Sequence, residues 1–257
     1  MTASKQQQQK PGCKQRTAAP IASASSAAAA AAAAPSPVNT IVAPEQAKIT
    51  SHHLLKDLCA KRNNVVYLKL LKQRRKLPTF VRMQSILQAI DSNQVVVISG
   101  STGIGTTTQV PQFILDASTL RREGGWCNIV CAVPGKDGTI RAATRVAEER
   151  VEPLGQSVGY EIGNKSKRSE MTRLLFCTID ILRRRLENDT LPRGTSHVVV
   201  DEVHKRLHEL DSLLRALRDL MQSRPDVKVV FLMSATINEE MFSDYFGKCP
   251  VLEIPDR

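Results

Sequence analysis

The chain has 257 residues, a formal net charge of +11 at pH 7 and only 4% aromatic residues. Its basic surface favours polyanionic partners, although the same charge also serves solubility. The low aromatic content argues against a base-stacking platform for single strands. No apolar run approaches the roughly 20 residues that cross a bilayer, and the six cysteines lack zinc-ligand spacing. We therefore expect an intracellular protein of the cytoplasm or nucleus, with reduced thiols and no membrane contact.

The N-terminal part divides into a tail and a helical extension. The first 45 residues are rich in Gln, Ala, Ser and Pro. Such a stretch buries too little apolar surface to offset its ordering entropy, so residues 1–45 are predicted to be disordered. Residues 46–76 are predicted to form a basic helical extension, which Pro78 ends. Its final KQRRK run is typical of a solvated helix end or of a nuclear-localisation or RNA-contacting segment.

From residue 77 onwards, helical segments alternate with short apolar strands. The predicted strands cover residues 94–99, 128–133, 173–178, 197–201, 228–233 and 251–254. The predicted helices include residues 78–90, 139–152, 207–223 and 238–245. Apolar strands separated by helices indicate a parallel sheet covered on both faces. The predicted fold class over residues 77–257 is α/β, a doubly wound parallel sheet that binds ligands at the C-terminal ends of its strands.

A candidate phosphate loop, GSTGIGTTT, follows the first of these strands directly and fits G-x-x-x-x-G-x-[ST]. Glycines let the backbone wrap a phosphate, and amides at the start of a helix donate to it. The predicted nucleotide-binding residues are Gly100, Thr102, Gly103, Gly105, Thr106, Thr107 and Thr108. Thr106 stands where a lysine should reach the β- and γ-phosphates, whereas Thr107 fits the magnesium ligand. An ordinary glycine-rich turn is the alternative.

Two further motifs follow later strands. SHVVV ends in Asp201 and Glu202, with His204 two positions on. Alone, an acidic pair is typical of a surface turn, but behind a phosphate loop it fits a magnesium ligand, Asp201, and a residue that polarises water, Glu202. KVVFLM then leads to SAT, whose Ser234 and Thr236 would alone be explained as a helix cap.

The order of these motifs resembles the first RecA-like domain of the DEAH/RNA-helicase-A family of RNA helicases. GSTGIGTTTQVPQFIL resembles motif I, DEVH motif II and SAT motif III, while RVAEER, VGYEI, LLFCT and SDYFGKCPVLEIP resemble the intervening segments. The resemblance implies ATP and Mg2+ as cofactors, RNA held by its backbone, and adenine stacking by Arg145. It also implies catalytic or coupling roles for Asp201, Glu202, His204, Ser234 and Thr236.

Several positions depart from that family pattern besides the missing lysine. The paired arginines after the VP of the second strand are Gly135 and Lys136, which leaves Lys136 as the predicted RNA contact. The glycine expected after LLFCT is Asp180, and an arginine expected after GYxI is Gly163. The drift falls at phosphate-facing and RNA-facing positions, while the scaffold matches the family.

Three interpretations remain open at this stage. The chain is an ATP-dependent RNA helicase or a fragment of one, a non-enzymatic relative that binds RNA or protein, or an α/β fold without a biochemical role. The chain ends at Arg257, where the family continues into a second RecA-like domain. We therefore expect no unwinding by this chain alone, and a separate second domain or another protein as partner. The expected activity is weak binding of ATP with Mg2+ and impaired hydrolysis.

Overall fold

The computed structural model describes residues 43–192, 194–202, 207–233 and 239–255. Most of the predicted tail lies outside these ranges. Its last two positions were wrongly included, because helix α1 begins at Pro44, and proline fits the first helical turn, where its missing N–H has no partner to lose. No helix within the described ranges combines the length and apolar character needed to cross a bilayer.

The described residues form helices on both sides of one sheet. The helices are α1 (Pro44–Lys61), α2 (Val65–Arg74), α3 (Pro78–Val81), α4 (Met83–Ser92), α5 (Thr106–Leu120), α6 (Lys136–Glu149), α7 (Ile179–Glu187), α8 (Leu207–Ser223) and α9 (Glu239–Tyr245). The strands are β1 (Val95–Gly100), β2 (Ile129–Val133), β3 (Val158–Ile162), β4 (Lys165–Lys167), β5 (Leu174–Thr178), β6 (His197–Asp201), β7 (Lys228–Met233) and β8 (Val251–Ile254).

The eight described strands follow the order β4-β3-β5-β2-β6-β7-β1-β8. All neighbouring pairs are parallel except β3 and β4. Alternate residues of one strand serve two cores: Val96 and Ile98 pack on one face, while Val95 and Val97 pack on the other. The predicted doubly wound parallel sheet is confirmed. Five free cysteine thiols lie in the described ranges, four of them buried.

Two strands, β3 and β4, were not predicted. They pair antiparallel, with Tyr160 opposite Lys167. The second residue of β3 is Gly159, where an added Cβ would lie only 2.5 Å from the Lys167 carbonyl oxygen. A glycine in a strand commonly permits such a close backbone approach, but it also interrupts the apolar pattern by which strands are recognised.

The basic extension, predicted to be helical, contains two helices, α1 and α2. The break lies at residues 62–64, where the Asn64 side chain accepts hydrogen bonds from the amides of Val66 at 2.8 Å and Tyr67 at 3.2 Å. This is an N-cap, which starts a new helix by satisfying amides that have no partner within it. The helix predicted over residues 78–90 is likewise divided into α3 and α4, with Arg82 between them.

Helix α1 is tied to the domain by a buried ion pair. Lys61, with a side chain 7% exposed, places Nζ 2.6 Å from Oε2 of Glu152, which is 1% exposed. The other oxygen of Glu152 accepts from the backbone amides of Ser157 and Val158, both at 3.1 Å. Asp57 adds a second carboxylate at 2.6 Å from Nζ. Each charge is therefore compensated, which burial requires.

Removing one member of this pair should destabilise the fold strongly. We expect Lys61→Met to lower the free energy of unfolding by about 1.5–3 kcal/mol, because the Glu152 carboxylate would lose the cation 2.6 Å from its Oε2 and keep only Arg150, whose Nε lies 3.5 Å away. Urea denaturation followed by circular dichroism measures the change. Lys48→Met is the matched control: its ion pair with Glu45 is exposed, so the expected change is below about 0.5 kcal/mol. Equal effects for the two variants would contradict the assignment.

Candidate functional site

The phosphate loop, residues 100–105, connects β1 to α5 at the C-terminal edge of the sheet. Gly103 and Gly105 have φ values of +94° and +97°, in the left-handed region that favours glycine. Gly105 is the N-cap of α5, so the loop leads directly into the first helical turn. The Thr79 hydroxyl donates to the Ile104 carbonyl at 2.7 Å and holds the loop from below. This is the geometry that a phosphate cradle requires.

The remaining loop positions differ in their surroundings. Gly100 is buried, and an added Cβ would overlap the Ile104 side chain and lie 3.1 Å from the Ile254 carbonyl. Thr102 is exposed at the tip of the loop. The half-buried Thr106 opens α5, at the position that lacks the expected lysine. The loop therefore keeps its backbone shape but lacks that cation.

Thr107 and Asp201 meet although they are 94 residues apart in the chain. The Thr107 hydroxyl donates to Oδ2 of Asp201 at 2.6 Å. Thr107 lies in the first turn of α5, and Asp201 is the buried last residue of β6. The two predicted magnesium ligands are thus brought together, and hydroxyl and carboxylate oxygens are donors that Mg2+ prefers.

Glu202 follows Asp201 with a φ of +49° and a partly exposed side chain. Its amide donates to Oδ1 of Asp201 at 3.0 Å, so the turn orients the neighbouring carboxylate. The Cys131 thiol of the neighbouring strand β2 is fully buried. Burial raises its pKa well above the usual range, and the nearby Asp201 and Cys177 side chains raise it further. The thiol stays protonated, which excludes it as a nucleophile at neutral pH.

Arg145, the predicted base-stacking residue, projects from α6 with a side chain 54% exposed. Its Nε donates to Oε1 of Glu149 at 2.8 Å. The other carboxylate oxygen of Glu149 accepts from the side-chain amides of Gln109 at 2.9 Å and Gln112 at 2.8 Å. Arg74 of α2 contacts the same oxygen at 3.6 Å. Arg145 is therefore attached to a buried polar cluster beside α5.

Gln109 also connects this cluster to the start of α5. Its side-chain amide donates to the Thr108 hydroxyl at 2.9 Å, and its Oε1 accepts from Arg74 Nε at 2.8 Å. Thr108, a predicted nucleotide-binding residue, is thereby linked to α2 through one glutamine.

The other predicted site residues lie elsewhere. Lys136 is exposed as the first residue of α6, after Gly135 with a φ of +73°. It follows β2, which β6 and β7 separate from β1, so it lies apart from the phosphate loop. His204, Ser234 and Thr236 lie outside the described residues.

Sequence reasoning missed the residues that support the site: Arg74, Thr79, Gln109, Gln112 and Glu149. One local signal was available, because Arg145 and Glu149 are four residues apart on a helix and so lie on one face. Arg74 carries no such signal, since its partners Gln109 and Glu149 are 35 and 75 positions away. Its burial at 2% becomes evident only in the fold.

Comparison with known proteins places this geometry in context. The family model described as DEAD/DEAH box helicase matches residues 81–243. DHX57 of Homo sapiens is 50% identical over 188 residues, covering 73% of this chain and 14% of that protein. The DExH-box ATP-dependent RNA helicase DExH1 of Arabidopsis thaliana is 50% identical over 182 residues, covering 71% and 18%. The ATP-dependent DNA/RNA helicase DHX36 of Homo sapiens is 43% identical over 205 residues, covering 79% and 20%. The chain thus matches a fifth or less of the length of each relative.

The backbone of the phosphate loop gives a direct test of its shape. We expect Gly105→Ala to lower the free energy of unfolding by about 1–2 kcal/mol, because φ is +97° and the added Cβ would lie 2.9 Å from Leu77 Cδ1. Gly138→Ala, inside α6, is the control. There the Cβ meets only Val133 Cγ1 at 3.5 Å, so alanine should stabilise by about 0.5–1 kcal/mol. Thermal and urea unfolding compare them, and a neutral Gly105→Ala would contradict the loop conformation.

Proposed function

The chain belongs to the DEAD/DEAH box helicase family, and on that premise we propose that its RecA-like domain binds ATP with Mg2+ weakly and hydrolyses it slowly. The observation that carries the proposal is the 2.6 Å hydrogen bond between the Thr107 hydroxyl and the Asp201 carboxylate. It unites the end of the phosphate loop with the acidic turn after β6. That union is the one that phosphoryl transfer in nucleotide hydrolases uses.

Each group has a distinct part in this proposal. The amides of the phosphate loop and the start of α5 bind the phosphates. Thr107 and Asp201 hold Mg2+, which when bound neutralises charge on the phosphate oxygens. Glu202, placed by the turn after β6, orients the attacking water. Arg145 offers its guanidinium plane to the adenine face.

The missing lysine sets the strength of binding. A hydrogen bond to a charged group contributes about 1.5–3 kcal/mol, so threonine at position 106 should weaken binding roughly 10–100-fold. The backbone cradle does not depend on that side chain, since Gly103 and Gly105 keep their left-handed conformation. Binding is therefore retained more readily than fast hydrolysis, which needs stabilised charge in the transition state.

RNA is the proposed second ligand, as in the relatives whose names describe RNA helicases. Lys136, exposed at the start of α6, would contact the phosphate backbone. Unwinding requires a second RecA-like domain that closes on this one, and we propose such a domain as the partner of the site.

A second candidate function is non-catalytic binding: the chain would be a non-enzymatic relative of the helicases that binds RNA or protein on the same surface. It is favoured by Thr106, because the cation lost there is the one that a hydrolase uses on the β- and γ-phosphates. The two functions share the fold and differ in whether nucleotide is turned over.

Restoring the lysine tests binding. We expect Thr106→Lys to tighten Mg-ATP binding about 10–100-fold in isothermal titration, because the new ammonium would reach the phosphates. Val65→Lys adds the same charge at the exposed start of α2, outside the phosphate loop, and should have a much smaller effect. Removing Mg2+ with a chelator should weaken binding by both the natural chain and Thr106→Lys. The proposal would be contradicted if neither the natural chain nor the Thr106→Lys variant, each folded, gave any heat of binding with millimolar Mg-ATP.

Turnover separates the two candidate functions. RNA-stimulated ATP hydrolysis is measured for the natural chain and for Thr106→Lys, each with and without a second RecA-like domain from a relative. We expect hydrolysis at a helicase-like rate only for Thr106→Lys with the added domain. Such a rate for the natural chain with that domain would overturn the proposed impairment. No turnover in any combination, with Mg-ATP bound, would favour the non-enzymatic relative.

A further inference from the structure

We propose that Glu149 is a positioning residue for nucleotide binding: it holds Arg145 in place for the base and is itself held by Arg74 of the N-terminal helices. The inference rests on the proposed function, because it concerns the base of the nucleotide bound there. It also names a supporting residue outside the family match, since Arg74 lies before residues 81–243, which the family model matches.

The first step is the burial of Glu149. Its side chain is 3% exposed and belongs to the last residue of α6. One of its oxygens accepts from Gln109 and Gln112 and lies 3.6 Å from Arg74 Nε, while the other accepts only from Arg145 in the described part of the chain. A buried carboxylate needs such partners to offset its lost hydration. Its position is therefore fixed by groups other than Arg145.

The second step is that the Arg145 side chain is held at one nitrogen while most of it is exposed. Its side chain is 54% exposed, and within the described residues the bond to Glu149 is its only hydrogen bond or ion pair. A free arginine carries about 2 kcal/mol of rotamer entropy. Because Nε is bonded, the guanidinium plane is restrained while its faces stay open. Glu149 thus lowers the entropy that Arg145 would lose on stacking against a base.

The third step links the cluster to the N-terminal helices. Arg74, 2% exposed, donates from Nε to Gln109, and Gln109 bonds both Glu149 and the Thr108 hydroxyl. The Arg74 Nη1 atom is buried without a hydrogen-bond partner among the described residues, so the guanidinium depends on Gln109 and Glu149. Arg74 therefore connects α2 to the carboxylate that restrains the base-binding arginine.

The test distinguishes contacts with the base from contacts with the phosphates. Dissociation constants of Mg-ATP and of Mg-tripolyphosphate, which lacks a base, are measured for the full chain and for Glu149→Gln, Arg145→Ala and their combination. We expect each single variant to weaken Mg-ATP binding about five- to tenfold and to leave tripolyphosphate binding within about twofold. The combination should be no weaker than Arg145→Ala alone, because Glu149 acts through Arg145.

Folding is controlled separately, since Glu149→Gln leaves Arg74 without its buried counter-charge. The charge-compensated variant Arg74→Met with Glu149→Gln removes both members, a replacement that proteins often tolerate. It should give the same selective loss of Mg-ATP affinity. Equal weakening of both ligands, or additive losses when Arg145→Ala is combined with Glu149→Gln, would overturn the positioning role.

Measurements on the natural chain distinguish failure of the Glu149 inference from failure of the proposed ATP binding. Equal affinity for Mg-ATP and Mg-tripolyphosphate would overturn the role of Glu149 while leaving the phosphate site in place. Failure of the folded natural chain to bind either ligand would overturn the proposed function, and the inference with it.

Discussion

The hydrogen bond between Thr107 and Asp201 is the constraint on which the site depends. β7 lies between β1 and β6, so these two strands are separated by two strand spacings, about 10 Å. The phosphate loop and the first turn of α5 therefore carry Thr107 from the end of β1 to within 2.6 Å of Asp201 at the end of β6. The parallel sheet supplies this arrangement because all three strands end at the same edge.

A second constraint acts from the N-terminal helices. Lys61 at the end of α1 and Arg74 at the end of α2 are both buried cations, and their carboxylate partners Glu152 and Glu149 lie at or just beyond the end of α6. The extension is thus packed against the helix that carries Arg145. Two basic residues that composition alone would assign to a solvated surface instead neutralise acids in the interior.

Local patterns predicted the parts of the molecule that are determined locally. The strands next to the phosphate loop and the acidic turn contain continuous apolar runs, Val95–Ile98 and Val198–Val200, and the loop itself is defined by glycines within six residues. The buried cluster around Glu149 was not predictable in the same way, because Arg74 lies 75 positions before it. β3 was missed because Gly159 serves a contact with β4 rather than the apolar core. The roles of His204, Ser234 and Thr236 stay predictions.

Pro111 of α5 removes one backbone hydrogen bond from the first turn of that helix. A proline has no amide hydrogen, so the carbonyl four residues earlier, that of Thr107, lacks its helical partner. The side chain of the same residue is bonded to Asp201, and the next carbonyl, that of Thr108, accepts a side-chain bond from Gln112 at 2.8 Å. Side-chain hydrogen bonds therefore hold part of the first turn of α5. Exchanging one of these bonds for a metal ligand would disturb the rest of α5 little.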